Sequence, residues 1–108
     1  MSTYCFDLDG TLCSNTYGDY ESAQPFVDAI TAANELIEAG HRLIVFTARG
    51  SGSGLDWRAV TERQLLEWGL KDHELIFGKP EADLYIDDRA IVAELWHEHG
   101  NELLNHGP

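Results

Sequence analysis

Four short stretches carry the residues that could do chemistry: Asp7-Leu8-Asp9-Gly10-Thr11, Val45-Phe46-Thr47-Ala48-Arg49, Gly78-Lys79-Pro80 and Tyr85-Ile86-Asp87-Asp88-Arg89. A carboxylate at the end of a buried strand is a weak base but a competent nucleophile toward phosphorus. Asp7 occupies such a place. Asp9 lies two residues on, and Gly10 permits a sharp turn that returns its side chain to the same point. There it could protonate a leaving alkoxide and then activate water. The Thr47 hydroxyl and the next backbone N–H, that of Ala48, can donate to a phosphoryl oxygen, as can the N–H of Leu8 beside Asp7. Lys79, in a rigid turn between Gly78 and Pro80, can neutralise a transferred phosphoryl group. Asp87 and Asp88 would repel each other in one site unless a cation lay between them. Mg²⁺ suits such acids, because it takes one or two carboxylates together with waters and substrate oxygens.

Each stretch also has a plainer reading: a strand-end turn for Asp7 and Thr47, a solvated lysine for Lys79, a solvated acidic pair for Asp87 and Asp88. The Asp-x-Asp-Gly-Thr run resembles the start of a calcium loop as well, but the apolar residues before it and the missing further ligands argue against that. The order of all four stretches, each at a strand end, favours the chemical reading.

The elements that must position these residues follow from the apolar pattern. Thr3 to Phe6 reads as a buried strand leading into Asp7. Gly10 to Glu21 is polar and turn-rich, a loop or small hairpin forming a flap. From Pro25 to Ala39 the apolar residues Phe26, Ala29, Ile30, Ala33, Leu36 and Ile37 keep helical spacing, with Pro25 in the first turn and Gly40 as the cap. Leu43 to Phe46 is a second strand ending at Thr47. A Gly/Ser loop over Gly50 to Gly54 precedes a helix capped by Asp56, with Trp57, Val60, Leu65 and Trp68 as its core stripe and Gly69 as its end. Glu74 to Phe77 is expected as a third strand, Ala82 to Ile86 as a fourth, Arg89 to Glu98 as a third helix and Glu102 to Leu104 as an edge strand. Strands alternating with helices predict an α/β fold, a Rossmann-like three-layer sandwich with a mostly parallel sheet and no cap domain.

At 108 residues with 44% apolar residues the chain suits one domain with a real core. Nineteen acidic residues against seven basic ones give a net charge of −12, which disfavours nucleic acid and anionic membranes as partners. No apolar run is long enough to span a bilayer and no leader pattern begins the chain, so a cytoplasmic location with reduced Cys5 and Cys13 is expected.

Taken together, the four stretches resemble the four motifs of the haloacid dehalogenase superfamily, whose commonest members are Mg²⁺-dependent phosphatases, and the likeness covers nearly the whole chain. It implies Asp7 as nucleophile, Asp9 as acid/base, Thr47 and Lys79 as phosphate binders, and a metal held by Asp7, the Asp9 carbonyl and at least one of Asp87 and Asp88. The short spacings from Thr11 to Thr47 and from Thr47 to Lys79 leave no room for an inserted cap. The site is then open, accepting a bulky substrate or borrowing a lid from a second subunit of a homo-oligomer.

Further similarity runs through Thr47-Ala48-Arg49-Gly50, Asp56-Trp57, Thr61, Trp68-Gly69 and the flap. It points to small phosphatases of bacterial surface-polysaccharide synthesis, and so to a small phosphorylated sugar or polyol as substrate. The phosphatase domain of phage polynucleotide kinase–phosphatase is a more distant likeness. Arg49 is expected to hold phosphate or a substrate hydroxyl, or else to pair with an acid. Arg89 is expected to orient the metal carboxylates or to form a surface ion pair. Tyr17 and Tyr20 either contact the leaving group or pack the flap. The pair His97-x-His99 carries no expected metal role, because on a helix end the two rings point apart.

Overall fold

The structure is a computed structural model and describes residues 1–98. Three strands, β1 (Thr3–Asp7), β2 (Arg42–Thr47) and β3 (Glu74–Phe77), form an all-parallel sheet in the order β1-β2-β3. Helix α1 (Val27–Glu38) joins β1 to β2 and helix α2 (Arg58–Glu67) joins β2 to β3. This is the α/β, Rossmann-like arrangement that the alternation of strand and helix predicts. No helix among the described residues is long and apolar enough to cross a membrane.

Register explains where the core lies. Tyr4 pairs with Leu43, Phe6 with Val45, Val45 with Leu75 and Thr47 with Phe77, so these side chains share one face. Both crossovers run in the same direction, and right-handed crossovers of that kind place their helices on one side. Phe6, Leu43 and Val45 are accordingly buried in one cluster with Ala29, Ile30, Ala33 and Leu36 of α1 and Leu65 of α2. Each such large side chain stabilises the fold by about 1.5–3 kcal/mol. On the opposite face Cys5 and Ile76 are exposed and Ile44 and Phe46 half-buried.

Both helices end as their glycines predict. Gly40 (φ +92°) donates to the Ile37 carbonyl and His41 to that of Leu36, while Gly69 (φ +80°) donates to Leu66 and Leu70 to Leu65. These paired bonds through a left-handed residue satisfy carbonyls that the helix leaves open. Helix α2 starts one residue later than the Asp56 cap implies. Trp57 occupies the capping position, and Asp56 Oδ1 accepts the Arg58 N–H at 3.0 Å.

The flap is pinched at its base, where Ser14 N–H donates to the Gln24 carbonyl at 2.8 Å and Phe26 N–H to that of Leu12 at 2.9 Å. It closes through a 3-10 turn at Tyr20–Ser22. His97 Nε2 donates to the Thr11 carbonyl at 2.6 Å, and its ring meets Phe26 edge-on.

Beyond β3 the structure departs from expectation. Residues 82–86 form no strand, and Leu84, Tyr85 and Ile86 are exposed. Strand propensity is realised only where a neighbour pairs the run. Here Tyr85 is tied locally instead: its hydroxyl donates to the Pro80 carbonyl and its ring lies under Lys79 Nζ at 4.2 Å. The segment is thereby held to the turn after β3. Helix begins only at residue 93, after a turn in which the Arg89 N–H donates to Asp87 Oδ1 at 2.8 Å. Trp96 in residues 93–98 is buried edge-on against Phe6. The expected edge strand from Glu102 to Leu104 lies outside the described residues.

Candidate active site

Asp7 pairs with Phe46 and Thr47 with Phe77, so the three strands end nearly level. The carboxyl edge of such a sheet is where open α/β folds bind ligands. Asp7 Oδ1 lies 3.4 Å from Lys79 Nζ, and both side chains retain some exposure. Lys79 is held to the end of β2 by its N–H, which donates to the Thr47 carbonyl at 3.1 Å. Thr47 is almost fully buried, and its Oγ1 accepts the Arg49 N–H at 3.1 Å. A carboxylate and a lysine thus meet at this edge, and a threonine ends the strand between them. Leu8 and Ala48 are the residues immediately beyond the ends of β1 and β2.

The turn after β1 is tight. The Leu8 carbonyl accepts from Thr11 at 3.1 Å and Leu12 at 2.9 Å, and Gly10 takes φ +88°. A side chain with a Cβ is disfavoured in that left-handed region. The turn brings Asp9 to Arg49, which grips it bidentately: Nε donates to Oδ2 and Nη2 to Oδ1, each at 2.9 Å. Arg49 Nη1 donates further to Thr61 Oγ1 at 3.0 Å and Gln64 Oε1 at 2.7 Å. The guanidinium also sits 4.7 Å from the Tyr20 ring centroid, and Gln64 Nε2 donates to the Tyr20 carbonyl at 2.7 Å.

Arg49 thus faces the protein interior. It is 2% exposed and its donors are engaged, so it positions Asp9. Of the two roles left open by the sequence, pairing with an acid is the one realised. Oδ1 also accepts the Cys13 thiol, whereas Oδ2 accepts from Arg49 alone and keeps a lone pair for a proton or a water.

Thr61 and Gln64 were not assigned to this network by sequence reasoning. Their signal was available: they fall three apart on the inward face of α2, where an apolar stripe would leave no polar residue. The buried face of α2 is Thr61, Gln64 and Leu65, because Arg49 needs acceptors there.

Cys13 belongs to the same cluster. Its thiol donates to Asp9 Oδ1 at 3.5 Å, and its pKa is pushed up to about 12, first by burial and then by the Asp9 charge. The Tyr20 hydroxyl is likewise raised, by partial burial first and then by Asp9 and Glu81. Both cysteines are free thiols.

The remaining candidates lie elsewhere. Tyr17 is 92% exposed at the flap tip, with φ +54°. Trp57 is not a core residue: it is half-buried, edge-on to Tyr20 at 5.0 Å, and lines a cleft with Asp56. Asp87, Asp88 and Arg89 stand on the exposed segment after residue 86.

Among the described residues no group of three or more His, Cys, Asp or Glu side chains is gathered so as to hold a metal ion. Asp7 and Asp9 share one strand end, but Asp9 faces Arg49 and the acids of residues 87 and 88 are not brought to them. The donor set expected for Mg²⁺ is not assembled in this arrangement.

No family model and no curated protein matches the chain. Among solved structures, a crystal structure of a target protein from Vibrio cholerae is similar, with a TM-score of 0.83 and 25% identity over 98% of this chain and 95% of that one. A chain of a Pnkp1/Rnl/Hen1 complex is similar with a TM-score of 0.55 and 25% identity, over 90% of this chain but 33% of that one. The parallel α/β core that carries Asp7, Thr47 and Lys79 at its carboxyl edge thus also occurs in solved proteins.

Proposed function

We propose that this chain is a phosphatase that hydrolyses phosphate monoesters through a phospho-aspartate at Asp7, acting as a single capless catalytic core. The observation that carries this is the placement of Asp7 Oδ1 3.4 Å from Lys79 Nζ, with Thr47 at the next strand end and Asp9 fixed by Arg49. Asp7 attacks phosphorus, and the phosphoryl charge is met by Lys79, Thr47 and the backbone N–H groups of Leu8 and Ala48. Asp9 gives a proton to the leaving oxygen and later takes one from the water that splits the acyl phosphate.

Mg²⁺ enters through the resemblance to haloacid dehalogenase phosphatases alone, which implies Asp7, the Asp9 carbonyl and Asp87 or Asp88 as ligands although the structure does not gather these side chains. When bound, it would offset charge on the phosphoryl oxygens. A small phosphorylated sugar or polyol is the proposed substrate, again by resemblance.

Hydrolysis of p-nitrophenyl phosphate with and without Mg²⁺, in the wild type and in Asp7→Asn, tests this. Activity in the wild type, its loss in EDTA and a fall of at least a thousandfold in Asp7→Asn are expected. Turnover that survives the substitution would falsify the nucleophile. A wild type that binds phosphate without turnover would instead make this a phosphate-binding domain.

The likeness to a chain of the Pnkp1/Rnl/Hen1 complex favours a second reading, a polynucleotide 3′-phosphatase. A net charge of −12 opposes it, since strand binding needs a basic groove with stacking aromatics. A sugar-phosphate panel set against a 3′-phosphorylated oligonucleotide separates the two.

A further inference from the structure

Beside Lys79 the loop after β2 borders an open cleft of about 310 Å³, with Leu55, Asp56, Trp57, Arg58, Phe77 and Gly78 along it. Small-molecule sites start at roughly this size, about 300 Å³. The cleft adjoins the phosphate-facing cation through two links. Gly78 precedes Lys79 in the chain, and Ser51, also at the cleft, donates from Oγ to the Lys79 carbonyl at 2.7 Å.

The loop that forms it is built to hold its shape. Gly50 takes φ +81°, and a Cβ there would stand 2.2 Å from the Leu55 carbonyl oxygen. Gly54 N–H returns to the Gly50 carbonyl at 2.8 Å.

Three kinds of group meet in these walls. Trp57 is braced edge-on by Tyr20 at an interplanar angle of 84°, so its ring is held in place. Arg58 lies over Phe77, 4.7 Å from guanidinium carbon to ring centroid, and its ion pair with Glu62 is an exposed 3.3 Å contact of little strength. Asp56 accepts the Arg58 N–H with one oxygen and keeps acceptor capacity on the other.

An aromatic face can stack on the C–H face of a sugar ring, while a carboxylate acceptor and guanidinium donors bridge its hydroxyls. A second phosphate would meet Arg58 but also the Asp56 charge in the same wall. A neutral polyhydroxylated ring meets no such opposition.

We propose that this cleft is the leaving-group site and takes a sugar ring of pentose or hexose size, with Trp57 as stacking platform and Asp56 and Arg58 as hydroxyl readers. The position of the phosphate rests on the phosphatase reading above, whereas ring binding does not.

Two measurements test it. The first is kcat/KM for glucose 6-phosphate, mannose 1-phosphate and ribose 5-phosphate, each relative to acetyl phosphate, which has no ring. At least one sugar should exceed acetyl phosphate in the wild type, and the ratio should fall at least fivefold in both Trp57→Ala and Asp56→Asn. A smaller fall in either variant overturns the assignment.

The second is tryptophan fluorescence during titration with the same three sugar phosphates, which needs no turnover. A saturable change that disappears in Trp57→Phe supports the ring site, and a signal indifferent to that substitution overturns it. If the wild type turns over none of these phosphates, acetyl phosphate included, the phosphatase reading fails and the fluorescence titration alone decides the ring site.

Discussion

Arg49 is the residue on which the candidate site turns. A guanidinium with no exposed surface is tolerated only because Asp9, Thr61 and Gln64 accept its N–H groups. Breaking a buried ion pair from one side costs about 3–5 kcal/mol, and the lower end applies here because the Asp9 side chain keeps 17% exposure and can be hydrated. Arg49→Met should therefore lower the unfolding free energy in urea by about that amount, and Arg49→Lys by less, because lysine keeps the charge but not the bidentate fork. An unchanged urea midpoint in Arg49→Met would show that the pair contributes nothing.

Cys13 reports on the same cluster through pH. Its folded pKa is raised from 9.0 to about 12, so between those values the native state holds a proton that the unfolded state has released. The stability contributed is complete below pH 9 and is lost as pH rises through about 12. The urea stability of the wild type minus that of Cys13→Ala should then shrink across this window. A difference that stays constant with pH would refute the cause assigned to the shift.

Among the elements, the loop from Arg49 to Trp57 matters most, because it carries one wall of the cleft and leads into α2. A Cβ at Gly50 would collide with backbone, not with a side chain that can swing away. Gly50→Ala should cost about 2 kcal/mol or more, from the left-handed strain and the forced shift of Leu55. Thermal unfolding of that variant, compared with Gly54→Ala, where φ is also positive but nothing lies within 4 Å, separates strain from collision. Equal losses would mean the contact with Leu55 is immaterial.

Helices α1 and α2 and strands β1 to β3 were legible in the sequence, since their apolar spacing and their terminal glycines act locally. The run from Ala82 to Ile86 was not. Its composition suits a strand, but whether a strand forms depends on a pairing partner, and the Tyr85 contacts with Lys79 and Pro80 are not visible as a pattern.

For the whole molecule, charge is the dominant fact. At −12 the mean field repels a dianionic ester, and Lys79 and Arg58 act only at short range. Screening shortens that repulsion from about 30 Å at 0.01 M salt to about 8 Å at 0.15 M. KM for a small phosphate ester should accordingly fall, by twofold or more, as NaCl rises from about 10 to 150 mM over that screening range. An oligonucleotide held by phosphate contacts would show the opposite slope. A rising KM for the small ester would count against the charge argument and for the second reading.

The sequence by itself determined which side chains end the strands. Asp7, Thr47 and Lys79 follow apolar runs, and a parallel sheet must present such residues at one edge. It also determined helices α1 and α2, the glycines that close them and the overall charge, all of which depend on composition or on neighbours a few residues apart. Only the tertiary structure decided what each charged group faces. It made Arg49 the anchor of Asp9, drew Thr61 and Gln64 into the interior, and set Trp57 at a cleft wall instead of in the core. It also left Asp87 and Asp88 on an exposed segment. A buried guanidinium must find acceptors wherever the fold supplies them, and those acceptors come from residues that only packing brings together.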